Sequence, residues 1–191
     1  MTELRLGVLA TSRKENELRL PIHPDHIERI EPDLRERMVF ETGYGQRFGR
    51  VELPAVASRE EIIATTDIVL LPKPTLEDLH ALRDGQIMWG WPHAVQDAEL
   101  TQIAIDKQLT LIAWEAMHHW TSDGEHMVHV FHLNNEMAGY CSVLHAMALN
   151  GTTGHYGRHL RGVILGFGNT ARGAITALHG MGVHDVTALT M

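Results

Sequence analysis

The chain has 191 residues, 44% of them hydrophobic and 21% charged, the balance of a globular protein able to bury a core. A net charge of −8 argues against nucleic acid or an anionic membrane surface as partner, and no apolar run approaches the ~20 residues that span a bilayer. One cysteine, Cys141, excludes an internal disulfide; with no basic and apolar leader at the N-terminus, a cytoplasmic protein is expected.

Residues 4–10 read as a first strand, and a polar loop then leads to Glu17-Leu18-Arg19-Leu20-Pro21. His23-Pro24-Asp25 can cap a helix running to about Met38, and residues 38–41 form a second strand closed by Thr42-Gly43-Tyr44-Gly45. Ser58-Arg59-Glu60-Glu61 is a capping box that opens a short helix. Residues 67–71 are a third strand, stopped by Pro72-Lys73-Pro74, and Thr75-Leu76-Glu77-Asp78 opens the next helix in the same way. A fourth strand starts at Gly85, breaks at Gly90 and Pro92, and leaves His93 at its C-terminal end. A helix over residues 97–107 and an apolar strand over 109–114 follow. Apolar strands alternating with helices predict an α/β fold, with a parallel sheet covered on both faces.

Asn134-Asn135-Glu136 then caps a long helix reaching about Leu149, and Asn150-Gly151 ends it. Beyond a glycine-rich connector comes a strand that runs into Gly166-Phe167-Gly168-Asn169-Thr170-Ala171 and on into a helix, with a second strand over 185–189. This G-x-G-x-x-A turn, in strand–turn–helix–strand context, predicts dinucleotide binding: the glycines permit close approach of a pyrophosphate, which sits on the helix N-terminus. Gly166, Gly168, Asn169, Thr170 and Ala171 are the candidate cofactor residues. No acid stands near Thr190 to hold a ribose diol, which favours NADP while leaving NAD possible. The expected organisation is a substrate-binding and catalytic α/β domain over 1–134, a connecting helix and hinge over 135–160, and a partial Rossmann unit over 161–191. A complete dinucleotide domain needs more strands, so the chain is expected to be a truncated or split part of a larger enzyme. An open sheet edge further predicts a homo-oligomer or a complementing second chain.

Arg19, Lys73 and His93 stand out in loops or at strand ends of the first part. Arginine offers a planar fork that matches a carboxylate, lysine can donate to a carbonyl or carboxylate oxygen, and histidine passes protons near neutrality. An oxo acid needs all three. Glu115, at the end of the 109–114 strand, is a further candidate for the same crevice or an exposed carboxylate. His118, His119, His126, His129 and His132 crowd one region, but i,i+3 spacing matches neither a settled strand face nor a known ligand set, and no metal site is expected. Cys141 is expected to be a buried thiol on an apolar helix face.

The order of Glu17-Leu18-Arg19-Leu20-Pro21, Glu41-Thr42-Gly43-Tyr44-Gly45, Lys73-Pro74, Leu82-Arg83-Asp84-Gly85-Gln86-Ile87, His93 and residues 166–171 resembles the alanine dehydrogenases and the related nicotinamide nucleotide transhydrogenase domains. Trp89-Gly90-Trp91-Pro92-His93 and Gly168-Asn169-Thr170-Ala171-Arg172-Gly173-Ala174 are most similar to the N5-(carboxyethyl)ornithine synthase branch, near saccharopine dehydrogenase. That resemblance implies a small-molecule oxidoreductase in which a pyruvate-like 2-oxo acid condenses with the side-chain amine of ornithine or lysine and NADPH reduces the imine. It also implies that Arg19 holds the oxo-acid carboxylate, Lys73 its carbonyl or carboxylate, and that His93 is the proton donor and acceptor. An amino-acid dehydrogenase using ammonia and a non-catalytic oxo-acid-binding module remain the alternatives.

Overall fold

The computed structural model describes residues 3–49 and 51–190, and the chain divides into two compact units, Met1–Met117 and His118–Met191. In the first unit β1 (Leu6–Val8) leads through a 3-10 turn to α1 (Pro32–Arg35), β2 (Met38–Glu41) and the two-residue β3 (Val56–Ala57). Then come α2 (Arg59–Thr65), β4 (Ile68–Leu70), α3 (Leu76–Ala81), β5 (Ile87–Gly90), α4 (Ala98–Asp106) and β6 (Thr110–Ala113). The sheet order is β3-β2-β1-β4-β5-β6, and every pairing in it is parallel. The chain builds outward from β1 in one direction and then returns to β1's other side, so the winding reverses between β1 and β4. That reversal opens a crevice at the strands' C-terminal ends.

Leu9, Val39, Ile62, Val69, Leu71, Leu82 and Met88 form one core cluster, and Leu79, Leu100, Ile103 and Ala104 a second around α3 and α4. Two glycines are required by this packing. A Cβ on Gly7 would stand 2.2 Å from Ile62 Cγ2, and one on Gly90 would stand 1.9 Å from the Leu71 carbonyl oxygen. Both predicted caps form: Ser58 Oγ accepts the Glu61 N–H, and Thr75 and Asp78 make a reciprocal capping box.

The helix expected from Pro24 to Met38 is instead a 3-10 turn, Pro24–Arg29, followed by the short α1. Pro32 is the cause: it has no N–H to continue the ladder and drives the residue before it extended, with ψ 135° at Ile30 and 133° at Glu31.

The second unit holds an antiparallel hairpin of β7 (His118–Trp120) and β8 (His126–His129), then α5 (His132–Asn150), β9 (Arg161–Leu165), α6 (Asn169–Gly180) and β10 (Asp185–Leu189). β9 and β10 pair parallel, from Arg161 opposite Asp185 to Leu165 opposite Leu189. Sequence reading placed the first domain's end at 134 and a hinge over 135–160; the division into units falls earlier, and α5 packs directly on α6. Glycine notches allow this. A Cβ on Gly139 would meet the Thr170 carbonyl oxygen at 1.9 Å, and one on Gly173 the Glu136 carbonyl oxygen at 1.8 Å. Cys141 is exposed rather than buried. It lies roughly 200° round the helix from Gly139, away from the face that meets α6.

A bulge between His119 and Trp120 also resolves the histidine spacing, because it brings residues three apart in β8 to the same face. His118 then lies with its ring 4.7 Å from that of His126 and 5.0 Å from that of His129. Among the described residues no group of three or more His, Cys, Asp or Glu is placed to hold a metal ion, and no helix is long and apolar enough to cross a membrane.

Candidate functional site

The loops that leave β1, β4, β5 and β6 at their C-terminal ends carry Ser12, Lys73, His93 and Glu115, and Arg19 lies further along the loop after β1. The backbone joins these loops. Ser12 Oγ donates to the Lys73 carbonyl at 2.5 Å, and the Trp91 N–H donates to the Pro72 carbonyl at 2.8 Å. The ends of β1, β4 and β5 are thereby fixed to one another.

Arg19 is held on two sides. Its Nε and Nη2 donate to the two carboxylate oxygens of Glu17 at 2.8 and 2.5 Å, and its guanidinium lies over the Trp91 ring, 4.6 Å from the centroid. The Glu17 side chain is only 7% exposed, against 46% for Arg19. Hydrogen bonding from Arg19, aided by the nearby Lys73 charge, holds the Glu17 carboxyl below its ordinary pKa; the same bond raises that of Arg19. Two of the guanidinium's five N–H groups are engaged by Glu17, so three remain for a ligand. A cavity of about 190 Å³ lies against Glu17, bounded by Ala10, Thr11, Leu20, Gly43 and Arg47.

His93 stands at the next strand end. Its N–H donates to Glu115 Oε1 at 2.6 Å, and Nδ1 lies 3.9 Å from the same oxygen. Trp91 and Trp114 meet edge to face at 4.5 Å, so the Arg19 platform continues into the β6 turn that carries Glu115. The structure therefore pairs Arg19 with Glu17 and places His93 with Glu115 at neighbouring strand ends, while Lys73 is tied in through its main-chain carbonyl to Ser12. Glu17, Trp91 and Glu115 complete the site. Of these, Glu115 is a candidate from its place at a strand end, and Glu17 has a signal in standing two residues before Arg19; the stacking of Trp91 has none.

Gly166, Gly168, Asn169, Thr170 and Ala171 lie in the second unit, at the turn from β9 into α6. Gly166 has φ +87°, a conformation that favours glycine, and a Cβ on Gly166 or Gly168 would meet nothing within 4 Å. No side chain caps α6 at Gly168. Open space before an uncapped helix of twelve residues fits the diphosphate of a dinucleotide.

A parallel sheet whose winding reverses at a crevice lined by paired charged side chains, followed by a β-α-β unit with a phosphate-type turn, defines the general class. The particular relatives agree with it. No family model matches the chain. It is 27% identical over 191 residues to an N(5)-(carboxyethyl)ornithine synthase of Clostridium botulinum (strain Hall), covering 92% of this chain and 58% of that protein. It is 30% identical over 111 residues to an alanine dehydrogenase of Lysinibacillus sphaericus, covering 54% of this chain and 30% of that one. The chain thus spans less than two thirds of either relative. Among solved structures, an L-alanine dehydrogenase matches with a TM-score of 0.70 over 98% of this chain and 61% of its own. A transhydrogenase from Sinorhizobium meliloti matches at 0.68 over 96% and 57%. At 18% identity each, these two establish the fold alone. The resemblance read from the sequence, to alanine dehydrogenases, transhydrogenase domains and carboxyethylornithine synthase, agrees with the names of these relatives and with the fold of these structures.

Proposed function

We propose that this chain supplies the oxo-acid site and the first dinucleotide-binding unit of a nicotinamide-dependent oxidoreductase that joins a pyruvate-like 2-oxo acid to the side-chain amine of ornithine or lysine. The observation that carries the reading is the Arg19–Glu17 pair on Trp91, two residues before His93, at the crevice beside the reversal point of the sheet. The relative named for carboxyethylornithine synthesis supports that amine over ammonia.

In this reading the free N–H groups of Arg19 hold the oxo-acid carboxylate, and Lys73 Nζ donates to the carbonyl or a carboxylate oxygen. The His93 side chain gives a proton to the carbonyl oxygen as the amine adds, takes one back from the added nitrogen, and gives that one to the same oxygen as it leaves as water. Backbone N–H groups of residues 169–171 at the start of α6, beside Gly166 and Gly168, would hold the cofactor diphosphate. A bound nicotinamide supplies the hydride. NADP is the proposed form, because Thr190 rather than an acid follows β10.

The test is oxidation of NADPH by full-length protein with pyruvate and each amine. Turnover with ornithine or lysine, at least tenfold above that with ammonia, is expected. Equal or better turnover with ammonia would transfer the assignment to an alanine-type dehydrogenase, the second reading, which the 30% identity to such an enzyme favours. Oxo-acid binding with no turnover on any amine would leave a binding module.

A further inference from the structure

His93 has φ +50° and ψ +38°, the left-handed region that residues with a Cβ rarely adopt. Such a conformation persists only where its surroundings hold it, and it is often found at reacting centres. Two bonds hold it here. The His93 carbonyl accepts the Gln96 N–H at 2.8 Å, which closes the turn on the C-terminal side. The His93 N–H is taken by Glu115 Oε1 at 2.6 Å, from a residue twenty-two positions on and one strand over. A carboxylate acceptor at this length makes a charge-assisted bond, stronger than an ordinary turn bond. The same oxygen lies 3.9 Å from Nδ1, so the ring's Nδ1 side faces the carboxylate.

We propose that Glu115 is a positioning residue for His93: it fixes the left-handed main chain and so determines where the imidazole stands, with Nδ1 toward the carboxylate and Nε2 left for the substrate. The inference rests on the proton-transfer role proposed above for His93. Glu115 itself touches no reacting atom. Its effect passes through the geometry of one backbone amide, so an uncharged side chain that keeps an acceptor oxygen serves nearly as well, and a side chain without one does not.

Three variants test this. In full-length enzyme, Glu115→Ala should lower kcat by about tenfold or more while changing KM for the oxo acid less than about twofold, because Arg19 and Lys73 keep their partners. Glu115→Gln, whose amide oxygen still accepts the His93 N–H, should recover most of the lost rate. His93→Ala with Glu115→Ala should be no slower than His93→Ala alone, since Glu115 acts only through His93. A merely structural role would make the two losses additive and would not be rescued by glutamine. In the 191-residue chain, where turnover is not needed, the His93 amide proton should resonate far downfield, move upfield in Glu115→Ala and return in Glu115→Gln. An unmoved amide resonance in Glu115→Ala overturns the proposal whatever the kinetics. Full activity of Glu115→Ala beside a crippled His93→Ala also overturns it and leaves the role of His93 intact. Full activity of His93→Ala removes the reading of His93 itself, and the inference with it.

Discussion

Arg59 joins three loops beside the crevice, and its replacement by leucine gives a sharp test of how those loops are held. Its Nε and Nη2 donate to the two carboxylate oxygens of Glu41 at 3.0 and 3.2 Å, Nη1 reaches Asp78 Oδ1 at 3.2 Å, and Nη2 also donates to the Thr11 carbonyl. Glu41 in turn accepts the Ala10 N–H at 2.6 Å, so the guanidinium ties the loop after β1 to the ends of β2 and α3. The three side chains are 10%, 15% and 8% exposed. Removing one member of such a buried group strands the others and typically costs about 3–5 kcal/mol. Arg13 Nε stays 3.6 Å from Asp78, which places Arg59→Leu near 3 kcal/mol at the lower end of that range. With about 2–4 °C lost per kcal/mol, the melting temperature should fall roughly 6–12 °C. Adding Glu41→Gln and Asp78→Asn should restore more than half of the loss, because no buried charge is then left unmatched. Urea unfolding followed by tryptophan fluorescence measures both. A loss below about 1 kcal/mol for Arg59→Leu would refute the view that this network holds the loop.

Burial raises the Tyr44 hydroxyl to a pKa of about 12, and the group donates to the Ile22 carbonyl at 2.7 Å. A raised acid is stable folded below its unfolded value near 10, so stability should fall as pH climbs from about 10 toward 12, and Tyr44→Phe should flatten that alkaline slope in denaturant titrations. Gly139→Ala should force α5 from α6 at a cost of about 1–3 kcal/mol, read as faster amide exchange in both helices but not in the first unit. His93→Gly should be about 1 kcal/mol more stable than His93→Ala, since alanine retains the Cβ that the left-handed conformation penalises; equal urea midpoints would count against the strain.

Much of this architecture is legible in the sequence because its determinants are local. The apolar runs at Val69 and Met88, the caps at Ser58 and Thr75, and the glycines before α6 each act within a few residues. Where sequence reading departs from the structure, a longer-range or competing effect decides. Pro32 overrides a helix-like pattern, a bulge at His119 re-aims the histidines, and the glycines at 139 and 173 let α5 pack closely on α6. The candidate site shows the same split. Arg19, Lys73 and His93 could be named from residue type and position at loops or strand ends. Glu115's bond to the His93 amide, the Trp91 stack and the Arg59 network depend on pairs 18 to 72 residues apart, which no local pattern encodes.

The pairing of Arg19 with Glu17 bears on what the crevice can select. A half-exposed arginine would make a loose clamp, because a long side chain loses rotamer freedom on binding. Two bonds that Arg19 donates to Glu17, together with the Trp91 face, fix the guanidinium before any ligand arrives, which lowers that cost. The arrangement also has an electrostatic consequence. Glu17 offsets the charge of Arg19, so an incoming carboxylate meets less positive charge than an unpaired arginine would offer. On the proposed reading, a 2-oxo acid with a second carboxylate would bring an anion with no partner into a partly desolvated crevice, an unfavourable placement that strengthens as the local dielectric falls. On that reading, the carboxylate that steadies the guanidinium would also bias the site toward monocarboxylates, so that orientation and selectivity would come from one ion pair.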